Sequence, residues 1–241
     1  MPNDIEKYYN EESTKYSYKR YEGVTDTYVK YFFRRRLALV LNYLAAMRLN
    51  VREDGPHLLE VGCADGVVLR KIALKTPGKF GKLVGVDIAE DMLVQACLVT
   101  KDSNISFFHK SETPIEKFDV ALAVGFVDPG HWQEEKNYLL KHLKPGGHVV
   151  ISLGARYSLH ARLKLVGKDY AKQYLTYKEY DKLLTYDFEI VAKRYYGLFV
   201  PKLWAIPTLA RLLQPVFDRL LAPLVPGLFH ECLYLLRSKS R

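Results

Sequence analysis

Short apolar runs alternate with stretches of helical periodicity through the middle of the chain. His57–Val61, Lys82–Asp87, Asn104–His109, Phe118–Val124 and His148–Leu153 are nearly continuous in apolar residues, the pattern of strands buried on both faces. Helical spacing fills 66–75, 90–100 and 133–143 between them. Alternation of this kind predicts an α/β fold with a parallel sheet and helices on both faces. Phe188–Tyr195 and Glu231–Arg237 predict two further strands. Upstream, Phe32, Phe33, Leu37, Val40, Leu41 and Leu44 recur at helical spacing and predict a helix over Tyr28–Leu49, its early turns interrupted by Arg34, Arg35 and Arg36. Seven tyrosines in the first 31 residues, set among mixed charges, predict a docked, partly exposed cover.

The chain divides accordingly. Residues 1–54 form an N-terminal helical cover and 55–196 the α/β core. Residues 197–229 form an apolar insertion, and 230–241 the last strand with a basic tail. Of the 33 residues in Gly197–Phe229, 20 are apolar, and Pro201, Pro207, Pro215, Pro223 and Pro226 are expected to divide it into helices of two or three turns.

Between the first predicted strand and the first core helix lies Glu60-Val-Gly-Cys-Ala-Asp-Gly66. Gly62, Ala64 and Gly66 let the backbone approach a ligand, and the helix that follows offers unpaired N–H donors. Asp87 ends the next strand 21 positions after Gly66, where a carboxylate can accept from ribose hydroxyls. Read blandly, the glycines only shape a turn and Asp87 caps a helix. Position 67 is Val, so the turn is not the dinucleotide G-x-G-x-x-G.

This stretch resembles the first motif of class I S-adenosylmethionine-dependent methyltransferases. Three further stretches resemble that family in order and spacing: Val84–Met92, Phe118–Gly125, and Leu143-Lys-Pro-Gly-Gly-His-Val-Val-Ile-Ser152, whose Pro-Gly-Gly resembles a turn entering the fifth strand. The resemblance implies a seven-stranded, mostly parallel Rossmann-like sheet with the last strand antiparallel, and S-adenosylmethionine across the strand carboxyl ends. Carried over by position, Glu60, Gly62, Cys63, Ala64 and Gly66 hold the methionine part, Asp87 takes the ribose hydroxyls, and Ile88 and Met92 lie against the adenine. Gly125 closes the fourth-strand motif beside the cofactor. Many members have an acidic residue for the adenine amino group where this chain has Lys110, so Glu112 or a backbone amide is left for that contact. No metal is implied.

Transfer from a sulfonium needs an acceptor placed in line, and a protonated oxygen or nitrogen acceptor also needs a base. The loop after the fourth strand offers His131 and Asp128. Alternatively, Asp128 caps the helix starting near Gln133.

Composition narrows the partners. The net charge is +9, with a net of +6 in residues 193–241 and a nearly neutral middle. Three scattered cysteines without metal-ligand spacing suit a reduced cytoplasmic compartment and exclude a disulfide scaffold. Neither a secretory leader nor an apolar run of spanning length is visible. The expected reaction is methylation of a small or lipid-like apolar acceptor, at oxygen or carbon. Gly197–Phe229 then serves either as a substrate lid or as a peripheral dock on an anionic membrane, with Lys193, Arg194, Arg237, Lys239 and Arg241 as a basic rim. RNA or protein methylation, or non-catalytic cofactor binding, are the alternatives; nucleic acid is disfavoured because the basic segment is so apolar.

Overall fold

The computed structural model describes residues 4–49, 54–125, 131–165, 173–200 and 202–239. Three helices open it: α1 Asp4–Glu12, α2 Tyr16–Arg20 and α3 Tyr28–Ala46. The core then runs β1 His57–Val61, α4 Val67–Lys75, β2 Lys82–Asp87, α5 Glu90–Val99, β3 Ile105–His109, β4 Phe118–Ala123, α6 Trp132–His142 and β5 Leu143–Gly154. It continues with α7 Leu159–Arg162, α8 Tyr177–Leu184, β6 Phe188–Tyr196, α9 Pro207–Leu220 and β7 Glu231–Ser238.

The strands form one sheet in the order β3-β2-β1-β4-β5-β7-β6. β1 to β5 are mutually parallel, and β7 runs antiparallel to both β5 and β6. Successive residues of a strand serve opposite faces. Leu58, Val120, Leu122 and Val150 pack on one face with α3 and α4. Leu59, Val61, Ala121 and Ile151 pack on the other with Trp132 and Leu139 of α6 and Tyr180 and Leu184 of α8. Full burial of side chains such as Leu58 and Leu59 stabilises by roughly 1.5–3 kcal/mol each. The predicted seven-stranded α/β sheet with an antiparallel last strand is the observed one.

Three local expectations are corrected. Pro145-Gly-Gly does not precede the fifth strand but lies within β5. Phe118 pairs with Leu143 and Val120 with His148, so a bulge absorbs three extra residues, with Gly146 at φ 71°. In the insertion, Pro215 sits inside the 14-residue helix α9 instead of ending it. The predicted N-terminal helix stops at Ala46, because Met47 turns extended at ψ 128°.

The basic rim is also taken apart by the register. Lys193 and Arg194 pair with Tyr234 and Leu233, but Arg237 pairs with Glu189, near the start of β6. Six residues separate Glu231 from Arg237, about 20 Å of strand. Arg237 and Lys239 therefore lie at the amino edge of β6, far from the insertion that leaves its carboxyl end. Arg241 lies outside the described residues.

Candidate active site

The turn after β1 is built from left-handed backbone. Gly62, Ala64 and Gly66 have φ of 74°, 48° and 72°. Glycine adopts this at no steric cost, whereas Ala64 must be held there. Its N–H donates to Asp87 Oδ2 at 2.8 Å. The Gly62 and Cys63 amides both donate to the Val86 carbonyl, at 2.8 and 3.1 Å, fastening the turn to β2. A Cβ at Gly66 would run into the Phe107 ring. Cys63 turns its sulfur towards Gly85 of β2, and burial pushes its thiol pKa well up. Its backbone, not a reactive thiolate, is what the site can use.

Two buried carboxylates flank the turn. Glu60 is 2% exposed, and its Oε2 has no hydrogen-bond partner. Burial, with Asp87 and Asp65 close by, raises its pKa well above the ordinary value. Asp87 accepts from Ala64 N and, at 3.0 Å, from Ala89 N. Burial raises its pKa while those amides oppose the shift. An unpartnered buried acceptor beside a carboxylate with lone pairs to spare fits a ligand that brings an ammonium and hydroxyls. The cofactor expected here carries both.

The N-terminal helices close over this turn. Tyr9 and Tyr16 pack on Ala64, Ala89 and Met92. The Ser17 hydroxyl donates to the Asp65 carboxylate, and Asp91 N donates to Asn10 Oδ1 at 3.1 Å. Asp65, not singled out from sequence, also accepts from Val67 N at 3.2 Å, satisfying one donor at the start of α4. Ile88 is half-buried just past Asp87, while Met92 is fully buried. Glu112 is exposed on a short 3-10 turn after β3.

Beyond β4, Gly125 has φ 84°, and its N–H donates to Ser152 Oγ at 2.8 Å, joining the ends of β4 and β5. The space a Cβ would take there belongs to the Arg36 guanidinium. Arg36 reaches in from α3 and donates to Glu231 at 2.9 and 3.2 Å and to the Tyr196 hydroxyl at 3.2 Å. Sequence reasoning took Arg36 as an interruption of the helix. It lies one turn after Phe32 and one before Val40 on the buried stripe, and that placement was the available signal for a buried ion pair. His131 is exposed at the N-cap of α6, taking the cap position that sequence reasoning gave to Asp128. Asp128 itself lies outside the described residues. Among the described residues no group of three His, Cys, Asp or Glu could hold a metal.

Residues 59–149 match the family model described as "Methyltransferase domain". No curated protein matches the chain. Among solved structures, magnesium protoporphyrin IX methyltransferase from Synechocystis, which has S-adenosylhomocysteine bound, superposes with a TM-score of 0.65 at 13% identity, covering 98% of each chain. The cyclase SpnF also gives 0.65, at 14% identity over 98% of this chain and 96% of its own. The N-methyltransferase NodS from Bradyrhizobium japonicum gives 0.56 at 19% identity, over 87% of this chain and 97% of its own. These likenesses concern the fold, and a cyclase among them shows that the fold by itself does not set the reaction. The chain thus matches a methyltransferase domain at 59–149, set in a seven-stranded sheet whose last strand is antiparallel.

Proposed function

We propose that this protein transfers a methyl group from S-adenosylmethionine to a small, lipid-like acceptor, at oxygen or carbon, while resting on an anionic membrane surface. The unpartnered Glu60 carboxylate carries the cofactor half of this reading. It would take the ammonium of the methionine part, with the Gly62–Gly66 backbone alongside and Asp87 accepting from the ribose hydroxyls. Ile88 and Met92 would bound the adenine, Glu112 would meet its amino group, and Gly125 would line the groove. When bound, the cofactor supplies an electrophilic methyl carbon on sulfur. The protein's task is then to orient the acceptor, exclude water and take up any proton released, for which His131 is the candidate base.

The insertion supports the acceptor half. α9 is built inside out: its buried positions are Ala210, Gln214 and Asp218, the last two 0% and 3% exposed. Gln214 donates to the Leu198 carbonyl, and Asp218 accepts from the Tyr31 hydroxyl at 2.6 Å. Outward, Leu212 is 70% and Leu220 61% exposed, and Leu224 just beyond is 75% exposed. The other exposed charges of 202–225 are Lys202, Arg211 and Arg219, all basic. An apolar stripe between cations suits an anionic lipid surface. Among the described residues no helix is long and apolar enough to cross a membrane.

A membrane lipid extract incubated with methyl-tritiated cofactor tests the reading. Label should enter the organic phase. Label confined to RNA or protein precipitates would overturn it in favour of a macromolecular acceptor.

A further inference from the structure

Four buried polar atoms without hydrogen-bond partners meet at the carboxyl edge of the sheet, beyond the cofactor turn. They are Tyr28 Oη, His160 Nδ1, Trp204 Nε1 and His230 Nδ1. Their residues come from four separate parts of the chain: the first turn of α3, α7, the 3-10 turn Leu203–Ala205 and the approach to β7. The His160 and His230 rings stack at 4.3 Å and 29°. Tyr28 lies 5.0 Å from His160 and 6.1 Å from Trp204 between ring centroids. Phe199 closes the group, 5.0 Å from Tyr28 and 5.4 Å from His160.

The fold fixes this place relative to the cofactor turn. His230 N donates to the Gly197 carbonyl at 3.2 Å, and Ala155 N donates to the His230 carbonyl at 2.9 Å. Glu231 pairs with Gly154, the last residue of β5, and Gly125 N is bonded to Ser152 of the same strand. The cluster therefore stands over β5 and β7, next to the end of β4.

We infer that Tyr28, His160, Trp204 and His230 form the acceptor site of this methyltransferase, and that it takes an uncharged, oxygen-bearing aromatic ring such as a phenol. The inference rests on the methyl-transfer reading above. Buried polar groups in folded proteins are almost all hydrogen-bonded, and four exceptions in one cluster point to partners that a ligand brings. The indole N–H only donates, so the ligand must carry an acceptor, which a phenol oxygen supplies. A neutral imidazole nitrogen or the Tyr28 oxygen accepts from a ligand hydroxyl. Burial keeps both imidazoles neutral, lowering the His160 pKa to about 3 and that of His230 below its ordinary value. The nearby carboxylates are already engaged, Glu231 by Arg36 and Asp218 by Tyr31 with Arg35 at 3.8 Å. The four clustered side chains themselves thus carry no charge for an ionic ligand to meet. A flat ring enters by exchanging ring–ring contacts for ring–ligand contacts of the same kind.

Calorimetry with catechol as the aromatic probe and 1-decanol as the aliphatic one, on protein saturated with S-adenosylhomocysteine, tests this. Catechol should bind the wild type, and Tyr28→Phe and Trp204→Phe should each weaken it at least fivefold while S-adenosylhomocysteine affinity is unchanged. Tyr28→Phe should also unfold at a midpoint no lower than wild type, since it deletes only an unpartnered hydroxyl; that readout separates a binding role from a packing role. Equal catechol affinity in wild type and variants, or binding of decanol in place of catechol, would overturn the assignment. A wild type that does not bind S-adenosylhomocysteine would instead remove the methyl-transfer reading on which it rests.

Discussion

The Arg36 guanidinium donates to the Glu231 carboxylate at 2.9 Å, tying the cover helix to the first residue of the last strand across 195 positions. Both groups are buried. Burial pushes the Glu231 pKa up, but Arg36, His230 and the Tyr196 hydroxyl bring it below the ordinary value. Removing one partner of such a pair strands the other charge, at a cost of about 3–5 kcal/mol. Arg36→Met should therefore lower stability by that order in urea denaturation, and Arg36→Met/Glu231→Gln should recover most of the loss. A double variant as unstable as the single one would show that packing, not the charge pair, holds the joint.

Glu60 predicts opposite effects on stability and binding. Its raised pKa means that the folded protein holds a proton the unfolded chain releases above 4.5. Its contribution to stability is thus present at low pH and lost as pH rises. Glu60→Gln should raise the unfolding midpoint near pH 7 and weaken S-adenosylhomocysteine binding by about 1.5–3 kcal/mol, as expected for a lost charge-assisted bond. Asp87→Ala should weaken binding by a similar amount. Calorimetry on the three proteins decides, and unchanged affinity in Glu60→Gln would remove Glu60 from the groove.

If His131 takes the acceptor proton, His131→Ala should lower turnover by ~10²–10⁴ with cofactor affinity intact. The side chain is exposed at the N-cap of α6, so its loss should barely touch stability. Rates equal to wild type would leave positioning as the whole of the catalysis.

Leu212 and Leu220 face outward from α9, so Leu212→Glu and Leu220→Glu should change folding stability by no more than about 0.5 kcal/mol. Both should abolish flotation with anionic liposomes. Arg211→Glu and Arg219→Glu should weaken flotation by roughly 1 kcal/mol each, and salt should weaken it for the wild type. Intact protein that ignores anionic liposomes at low salt would leave Gly197–Phe229 as a lid over a soluble substrate.

The sheet and the Glu60–Gly66 turn were legible in the sequence because their determinants are local. An apolar run such as Leu58–Val61 is buried on both faces wherever the parallel sheet places it, and β1 and β2 have the predicted bounds. The Glu60–Gly66 turn and the strand-end Asp87 stand within 28 residues, and parallel pairing of β1 with β2 brings them together without help from distant parts. What tertiary structure alone decided involves pairings that spacing does not encode. The face by which α9 docks was settled by hydrogen bonds to Leu198 and Tyr31, so Gln214 and Asp218 went inside and Leu212 and Leu220 outside. The antiparallel register of β7 against β6 split a basic rim that looks continuous in sequence. Arg36 became a buried partner of Glu231, and Tyr28, His160, Trp204 and His230 became neighbours, because four chain segments end at the same edge of the sheet. Periodicity reports which positions are buried; which partner each one meets depends on where the chain returns.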